Sequence, residues 1–312
     1  MIFFCPPLPF FVSVILISMA QKVTSKNNKK MKKILLAGAT GYLGRYITEE
    51  LIRQSYPTSI IIRDRKKVQP DINHNEIVEA EVTKIETLAG VMEGINTVIS
   101  TIGITKQKDG LTYMDVDYKG NLNLLNEAKK AGVKKFIYVS AFYADKLTHL
   151  KMCHAKELFV QELKKSGLDY CIIRPNGFFS DMTEFLKMAK KGKAELFGDG
   201  NYRMNPIHGA DLAEVCVNAI NTKEKTIEVG GPEVLTHNEM VELAFSTLNK
   251  KVKVSYMPEW IRKMILWFAR SFTSSRKYGP MEFFFTILAM DMVAPKYGTH
   301  TLKAYFNQYK NI

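Results

Sequence analysis

Apolar residues along this chain alternate between two spacings. Lys33–Ala37, Ser59–Arg63, Glu76–Glu79, Thr97–Thr101, Lys135–Ser140 and Asp169–Arg174 are short apolar-rich runs of strand length. Between them, Tyr42–Arg53, Ile85–Met92, Tyr113–Ala131 and Leu150–Lys165 repeat apolar residues at helical spacing. That alternation predicts an α/β fold, a Rossmann-type doubly wound parallel sheet covered by helices on both faces. Thr83-x-x-Glu86 reads as a capping box for the second helix, and Gly132 and Gly167 stand where helix C-terminal glycines belong. Past residue 31 the chain has no internal repeat and no low-complexity segment.

The last hundred residues are mostly helical in pattern. Thr236-x-x-Glu239 caps one helix. Glu259–Phe272 then spaces Trp260, Ile261, Met264, Ile265 and Phe268 helically, and Met281–Val293 carries Phe283, Phe284, Phe285, Ile287 and Leu288. Such an apolar wall suits a large planar ligand or a lipid surface, and equally the core of a small subdomain.

Gly38-Ala-Thr-Gly41-Tyr-Leu-Gly44 changes the picture, because a strand-like run precedes it and a helical pattern follows. Glycines there let the backbone turn tightly and approach a pyrophosphate, which free N–H groups at the helix N-terminus then bind. In this context the motif predicts dinucleotide binding. An NAD-specific fold places an acid roughly 20 residues further on to hold the ribose 2′-hydroxyl. Here Arg63 stands at that place, followed by Asp64, Arg65, Lys66 and Lys67. A cationic cluster pairs with a 2′-phosphate, so NADP(H) is preferred over NAD(H), with Asp64 as the residue that suits NAD.

The 312 residues suit one large domain or two small ones. The expected division is an extension over 1–30, an NAD(P)-binding domain over 31–205 and a substrate-binding region over 206–312 packed on it. The net charge is +13, four of those charges coming from Lys22, Lys26, Lys29 and Lys30. The rest is dispersed, which predicts a generally basic surface and no specific nucleic-acid partner. Four widely spaced cysteines without a C-x-x-C pair argue against a disulfide framework or a metal site and suit a reducing compartment.

Residues 1–30 admit three readings. Met1–Ala20 is apolar but broken by Pro6, Pro7 and Pro9, with a short clean core, Phe10–Ile17. It is marginal as a membrane anchor, and it lacks the basic start of an export signal although Ser18-Met19-Ala20 resembles a cleavage site. Met31-Lys-Lys-Ile-Leu-Leu would itself open a cytosolic chain on its first strand, making the extension a tail or an over-extended start. The expected location is cytoplasmic, with membrane contact through the extension or the apolar C-terminal helices as the alternative; oligomeric state is unreadable.

Short-chain reductases commonly use Tyr-x-x-x-Lys, where the lysine lowers the tyrosine pKa and orients the nicotinamide ribose. No tyrosine in this chain has a lysine four residues later. Lys156 lies on the helix where such a lysine belongs, and Met152 occupies the tyrosine position. Lys156 is thus either the surviving half of the pair or a solvent-facing helix residue.

These segments resemble an atypical branch of the short-chain dehydrogenases/reductases, the NmrA-like and isoflavone-reductase-like group, and within it the divinyl chlorophyllide 8-vinyl reductases. The resemblance runs from Lys32 to the C-terminus. It rests on the glycine motif, Val139-Ser-Ala141, Ala155-Lys156 with Glu162-Leu163, Ile172–Phe179, Phe197–Gly200, Asn205-Pro-Ile, Asp211-Leu-Ala, Val229–Pro232 and Ala294–Gly298 with Thr301-Leu302. It implies that Gly38, Thr40, Gly41, Tyr42, Leu43 and Gly44 bind the pyrophosphate and Arg63 the 2′-phosphate. It places Glu81 and Val82 near the adenine, and Thr101, Ile102 and Gly103 near the adenosine ribose. Ser140, Ala141, Pro175 and Asn176 should approach the nicotinamide, and Lys156 matches the active-site lysine. Asp211 reads as a helix N-cap, and His208 and His154 as structural.

Three classes of function follow: an NADPH-dependent reductase of a double bond or carbonyl in a small apolar substrate, a non-catalytic NADP(H)-binding sensor or assembly protein, and a sugar-nucleotide epimerase. The last is disfavoured by the missing Tyr-x-x-x-Lys. The missing tyrosine suits alkene reduction, where no carbonyl oxygen needs a phenol donor.

Overall fold

The computed structural model of the chain describes residues 32–65, 76–105, 107 and 110–310, without the side chains of 275–277. The expected extension 1–30, and Lys66 and Lys67 of the basic cluster, lie outside these residues.

Seven strands form one parallel sheet: β1 Ile34–Ala37, β2 Thr58–Ile62, β3 Glu76–Glu79, β4 Thr97–Ser100, β5 Lys135–Val139, β6 Asp169–Pro175 and a later strand, β9, Thr226–Val229. Their order is β3-β2-β1-β4-β5-β6-β9. The chain winds outward from β1 in one direction, then returns to begin again at β4. That reversal opens a crevice at the carboxyl ends of β1 and β4, where dinucleotides bind in doubly wound sheets. The central strands are buried throughout, as a sheet covered on both faces requires.

On one face pack α1, Tyr42–Arg53, and α5, Gly209–Asn218, burying Ile47, Leu51, Leu212 and Cys216 on Ile34, Leu36, Ile60 and Ile137. On the other pack α2, Asn121–Lys130, and α3, Lys151–Lys165, burying Leu124, Ala128, Phe159 and Leu163 on Leu35, Val98, Phe136 and Tyr138. Each such aliphatic or aromatic side chain contributes about 1.5–3 kcal/mol when removed from water.

A further layer caps the carboxyl end of the sheet. It contains α4, Phe179–Lys191, followed by β7, Ala194–Phe197, and β8, Arg203–Met204. Later come β10, Leu235–Thr236, α6, His237–Thr247, β11, Val254–Met257, α7, Glu259–Phe272, α8, Ser275–Ile287, and α9, Leu302–Tyr309. β7 pairs with β11, and Phe179, Phe185, Met240, Phe245 and Phe306 form the layer's core. The expected division near residue 205 falls between interleaved segments: α5 and β9, from beyond it, belong to the sheet, whereas α4 and β7, from before it, belong to the cap.

Several local expectations change. The helix expected over Ile85–Met92 is a short 3₁₀ turn, Ile85–Leu88, because Ala89 is extended and Gly90 follows with φ +76°. Thr83 does not cap it; its hydroxyl donates to Glu81 Oε1 at 2.9 Å. The helix expected over Tyr113–Ala131 opens as a π-helix, Met114–Gly120, and becomes α-helical only from Asn121. Residues expected to extend α8 toward Val293 instead turn into a bridge between Met292 and Met204. Gly132 and Gly167 take the expected left-handed φ, and Thr236 with Glu239 forms the expected capping box.

Asp211 is not the cap of α5. His208 holds that place, its Nδ1 accepting from Ala210 N at 3.2 Å. The buried Asp211 carboxylate instead accepts from the Thr299 and His300 amides and pairs with His300 Nδ1 at 2.7 Å, tying α5 to the C-terminal segment.

Candidate active site

The glycine turn leaves β1 at Gly38, whose φ of +95° favours glycine and whose Cβ, if present, would stand 2.3 Å from Thr101 Oγ1. Gly41 N donates to Gly38 O at 3.0 Å, and Gly41, extended, precedes α1 with no side-chain cap. The first-turn amides of α1 are therefore left for an anion. A Cβ on Gly44 would meet Gly38 O at 2.0 Å, so only glycine lets helix and turn approach this closely. Leu43 and Gly44 are buried and shape the turn from behind. Tyr42 turns its hydroxyl to accept from Gly209 N at 3.2 Å, and burial holds that hydroxyl well above its ordinary pKa.

A cleft of about 310 Å³ runs from this turn across the sheet ends. Gly38, Thr40, Gly41, Arg63, Glu81, Val82, Thr101, Ile102 and Gly103 all line it, so nine of the residues picked from sequence share one wall. Arg63, at the end of β2, is exposed and makes no ion pair among the described residues. Asp64 lies beside it on the same wall, whereas Arg65 faces Glu79 at 3.8 Å. Glu81 accepts from Thr83 and pairs with Lys84 at 2.9 Å; the bond from Lys84, then that from Thr83, hold its carboxyl below the usual range.

At the inner end of this wall, a Cβ on Gly103 would stand 2.7 Å from Asp117 Oδ1 and 2.8 Å from Lys156 Nζ. Lys156 is therefore not the solvent-facing residue its neighbours Lys151 and Lys164 would suggest. It is buried, and its ammonium pairs with Asp117 Oδ1 at 2.9 Å. Asp117 Oδ2 accepts from Ile104 N at 3.1 Å, and the Tyr138 ring centroid lies 5.7 Å from the ammonium. Burial by itself would strip the Lys156 proton, but the Asp117 carboxylate and then the Tyr138 hydroxyl outweigh it and hold Lys156 above its ordinary pKa. Burial pushes Asp117 up, and the Lys156 charge opposes that push. The two groups thus face each other as a buried pair in which the protonated form of Lys156 is favoured.

Asp117 escaped sequence reasoning, although a signal was present. Tyr113, Asp117, Asn121, Leu124 and Ala128 follow one another at helical spacing and are all buried, so an acid and an amide occupy a core register. Their bonds explain it. Asn121 accepts from Ser100 Oγ at 2.6 Å and donates to Asp117 O at 2.9 Å, fixing the π-helical turn over the end of β4.

Ser140, Ala141, Pro175 and Asn176 do not line the cleft but stand at the neighbouring ends of β5 and β6. Ser140 Oγ donates to Glu157 Oε1 at 3.3 Å, and Arg174 grips both Glu157 oxygens at 2.7 and 2.8 Å. This buried, bidentate pair ties α3, which carries Lys156, to β6. Asn176 Nδ2 donates to Asn205 Oδ1 and Met292 O, and Asn176 Oδ1 accepts from Gly177 N. Its amide thus joins the sheet to the capping layer. Met152, one turn before Lys156, is buried with Tyr113 and Ala155. His154 is exposed.

A family profile described as NAD(P)H-binding matches residues 38–223. The divinyl chlorophyllide a 8-vinyl-reductase of Oryza sativa subsp. indica is 24% identical, over 88% of this chain and 78% of its own. The photosystem II assembly factor Ycf39 of Synechocystis is 27% identical, over 77% of this chain and 74% of its own. Among solved structures, the NADPH-dependent quinone oxidoreductase QOR2 of Escherichia coli, complexed with NADPH, superposes with a TM-score of 0.68 at 18% identity, over 89% of this chain and 100% of its own. Glycine turn, sheet order and family match agree: the chain belongs to the NAD(P)H-binding family and has the reductase-like Rossmann fold of the atypical, NmrA-like short-chain dehydrogenases/reductases.

Proposed function

We propose that the protein is an NADPH-dependent oxidoreductase that reduces a double bond or carbonyl of an apolar molecule, in the manner of the divinyl reductases it resembles. One observation carries the reading: a single cleft joins the glycine turn and Arg63 to the wall behind which the buried Lys156–Asp117 pair lies. The cradle fits a dinucleotide: α1 opens on the cleft with no side-chain cap over its first-turn amides, and glycine at 38 and 44 lets turn, helix and β4 approach closely enough to form it. Arg63 supplies the cation for a 2′-phosphate, which favours NADP(H) over NAD(H).

When bound, the cofactor supplies hydride from its nicotinamide. The chain does the rest. First-turn amides of α1 hold the pyrophosphate, and Arg63 holds the adenosine end. Asp117 keeps Lys156 protonated and aimed at the inner end of the cleft, where it bonds the ribose or relays a proton to the substrate. Met152 withholds the phenol that carbonyl reduction uses, which favours an alkene. Phe283 of α8, packed against Met152 and Tyr113, supplies an apolar wall beside Lys156.

A second reading, a non-catalytic NADP(H)-binding sensor or assembly protein, is favoured by Lys156 being already paired with Asp117 and by the likeness to an assembly factor. Mass spectrometry of compounds retained by the purified chain, followed by NADPH oxidation on each, separates the two. Substrate-dependent oxidation is the expected result. Tight NADPH binding with no turnover on any retained compound would favour the sensor.

A further inference from the structure

We propose that α7 docks the protein on the surface of a lipid bilayer carrying anionic headgroups. The proposal is independent of the reaction. Trp260, Met264, Trp267, Phe268 and Phe272 are five of the nine large hydrophobic side chains exposed among the described residues, and all five stand on this one helix. Trp260 and Trp267 are each 62% exposed and Phe272 77%. Their spacings, four and seven residues, put them on one face. The opposite face is accounted for: Ala269 is buried and Arg262 and Leu266 are half-buried, with Ile261 and Ile265 half-buried along the edge between the two faces.

The exposed rings make a continuous patch. Trp267 and Phe268 meet edge-to-face at 4.9 Å, and Phe268 and Phe272 stack at 5.9 Å. A helix face this apolar loses free energy in water unless something covers it.

Charge identifies what covers it. Lys263 and Arg270, seven residues apart, are exposed along one flank of the rings, while the helix's one acid, Glu259, is paired with Arg262 at 2.8 Å. Tryptophan and phenylalanine at the acyl boundary, with basic side chains reaching up to the headgroups, are the composition of an interfacial helix. The net charge of +13 adds attraction to an anionic leaflet. Geometry excludes a span: 14 residues reach about 21 Å, short of a ~30 Å hydrocarbon core. No helix among the described residues is long and apolar enough to cross.

The test needs no label, because the chain has two tryptophans and both stand on this face. The full chain is mixed with vesicles of phosphatidylcholine alone or with phosphatidylglycerol, with and without brominated acyl chains. Anionic vesicles should shift tryptophan emission to the blue, brominated lipid should quench it, and high salt should reverse both. A Phe268→Glu, Phe272→Glu variant should lose the emission shift and the quenching while keeping wild-type NADPH affinity. The proposal is overturned if anionic vesicles leave the emission unmoved, even where the protein sediments with them, since contact would then lie elsewhere. It is also overturned if the shift arises with protein concentration alone, since the face would then join a second copy.

Discussion

The Asp117 carboxylate and the Lys156 ammonium meet at 2.9 Å beside Gly103, each brought there by a different helix. On the proposed function the pair ties catalysis to stability at this point, because removing either partner leaves the other buried without its partner.

Lys156→Ala is therefore expected to lower turnover about 100-fold or more, the range for a lost general acid. It should also cost about 3–5 kcal/mol of stability by isolating Asp117. Adding Asp117→Asn should restore most of the stability and none of the turnover. Urea unfolding and NADPH oxidation on the identified substrate read the two effects separately. Wild-type turnover in Lys156→Ala would remove the catalytic assignment.

Arg63→Asp should weaken NADPH binding by about 1–3 kcal/mol, the worth of a charge-assisted hydrogen bond, and change NADH binding much less. Fluorescence titration of both cofactors against both proteins decides it. Equal losses would mean that Arg63 does not read the 2′-phosphate.

Gly44→Ala places a methyl group 2.0 Å from Gly38 O, against backbone that cannot yield without moving the turn. The expected cost is about 1–3 kcal/mol, as for other overpacked sites, together with lost cofactor affinity. At Gly41 the same methyl would sit 3.3 Å from Gly38 O, and stability should change far less. Thermal unfolding of the two variants in parallel is the measurement; equal melting temperatures would contradict the close approach.

Acid should destabilise the fold through two imidazoles. Burial, aided by His300, pushes His208 down to about 4, and burial does the same to His237, against an ordinary 6.5. Both are neutral when folded and gain protons more readily when unfolded. Their contribution is complete above pH 6.5 and is lost as the pH falls toward 4. Urea midpoints should decline across that window, and the His208→Asn, His237→Leu variant should decline less steeply. Parallel curves would place the acid sensitivity elsewhere.

The inner strands were legible because burial on both faces writes apolar runs, and the edge strand β3 from its Ile77-Val78 pair; these six lie within about a residue of their expected ends. β9 was not, because Thr226-Ile-Glu-Val229 is an edge strand with mixed exposure and no apolar run. Of the nine wall residues, Gly38, Gly41 and Arg63 were legible from the glycine turn and its spacing, whereas Thr40, Glu81, Val82, Thr101, Ile102 and Gly103 were implied only by the family resemblance. Asp117 was hidden because its polar side chain interrupts the apolar register that sequence reading follows. His208 was hidden as a cap because histidine is rarely one, and Asp211, three residues on, is the better candidate by propensity. Both depend on contacts with distant segments that local spacing does not encode.

The late arrival of β9 bears on how the molecule is made. By the time the ribosome reaches Thr226, the chain has already produced α4 and β7, which belong to the other layer and await α6 and β11. Neither layer can close before the other has begun, so synthesis offers no point at which the cofactor half stands finished and alone. Folding is expected to wait for the whole chain and unfolding to take both layers together. A graft that exchanges substrate layers between relatives has to cut the chain at several places.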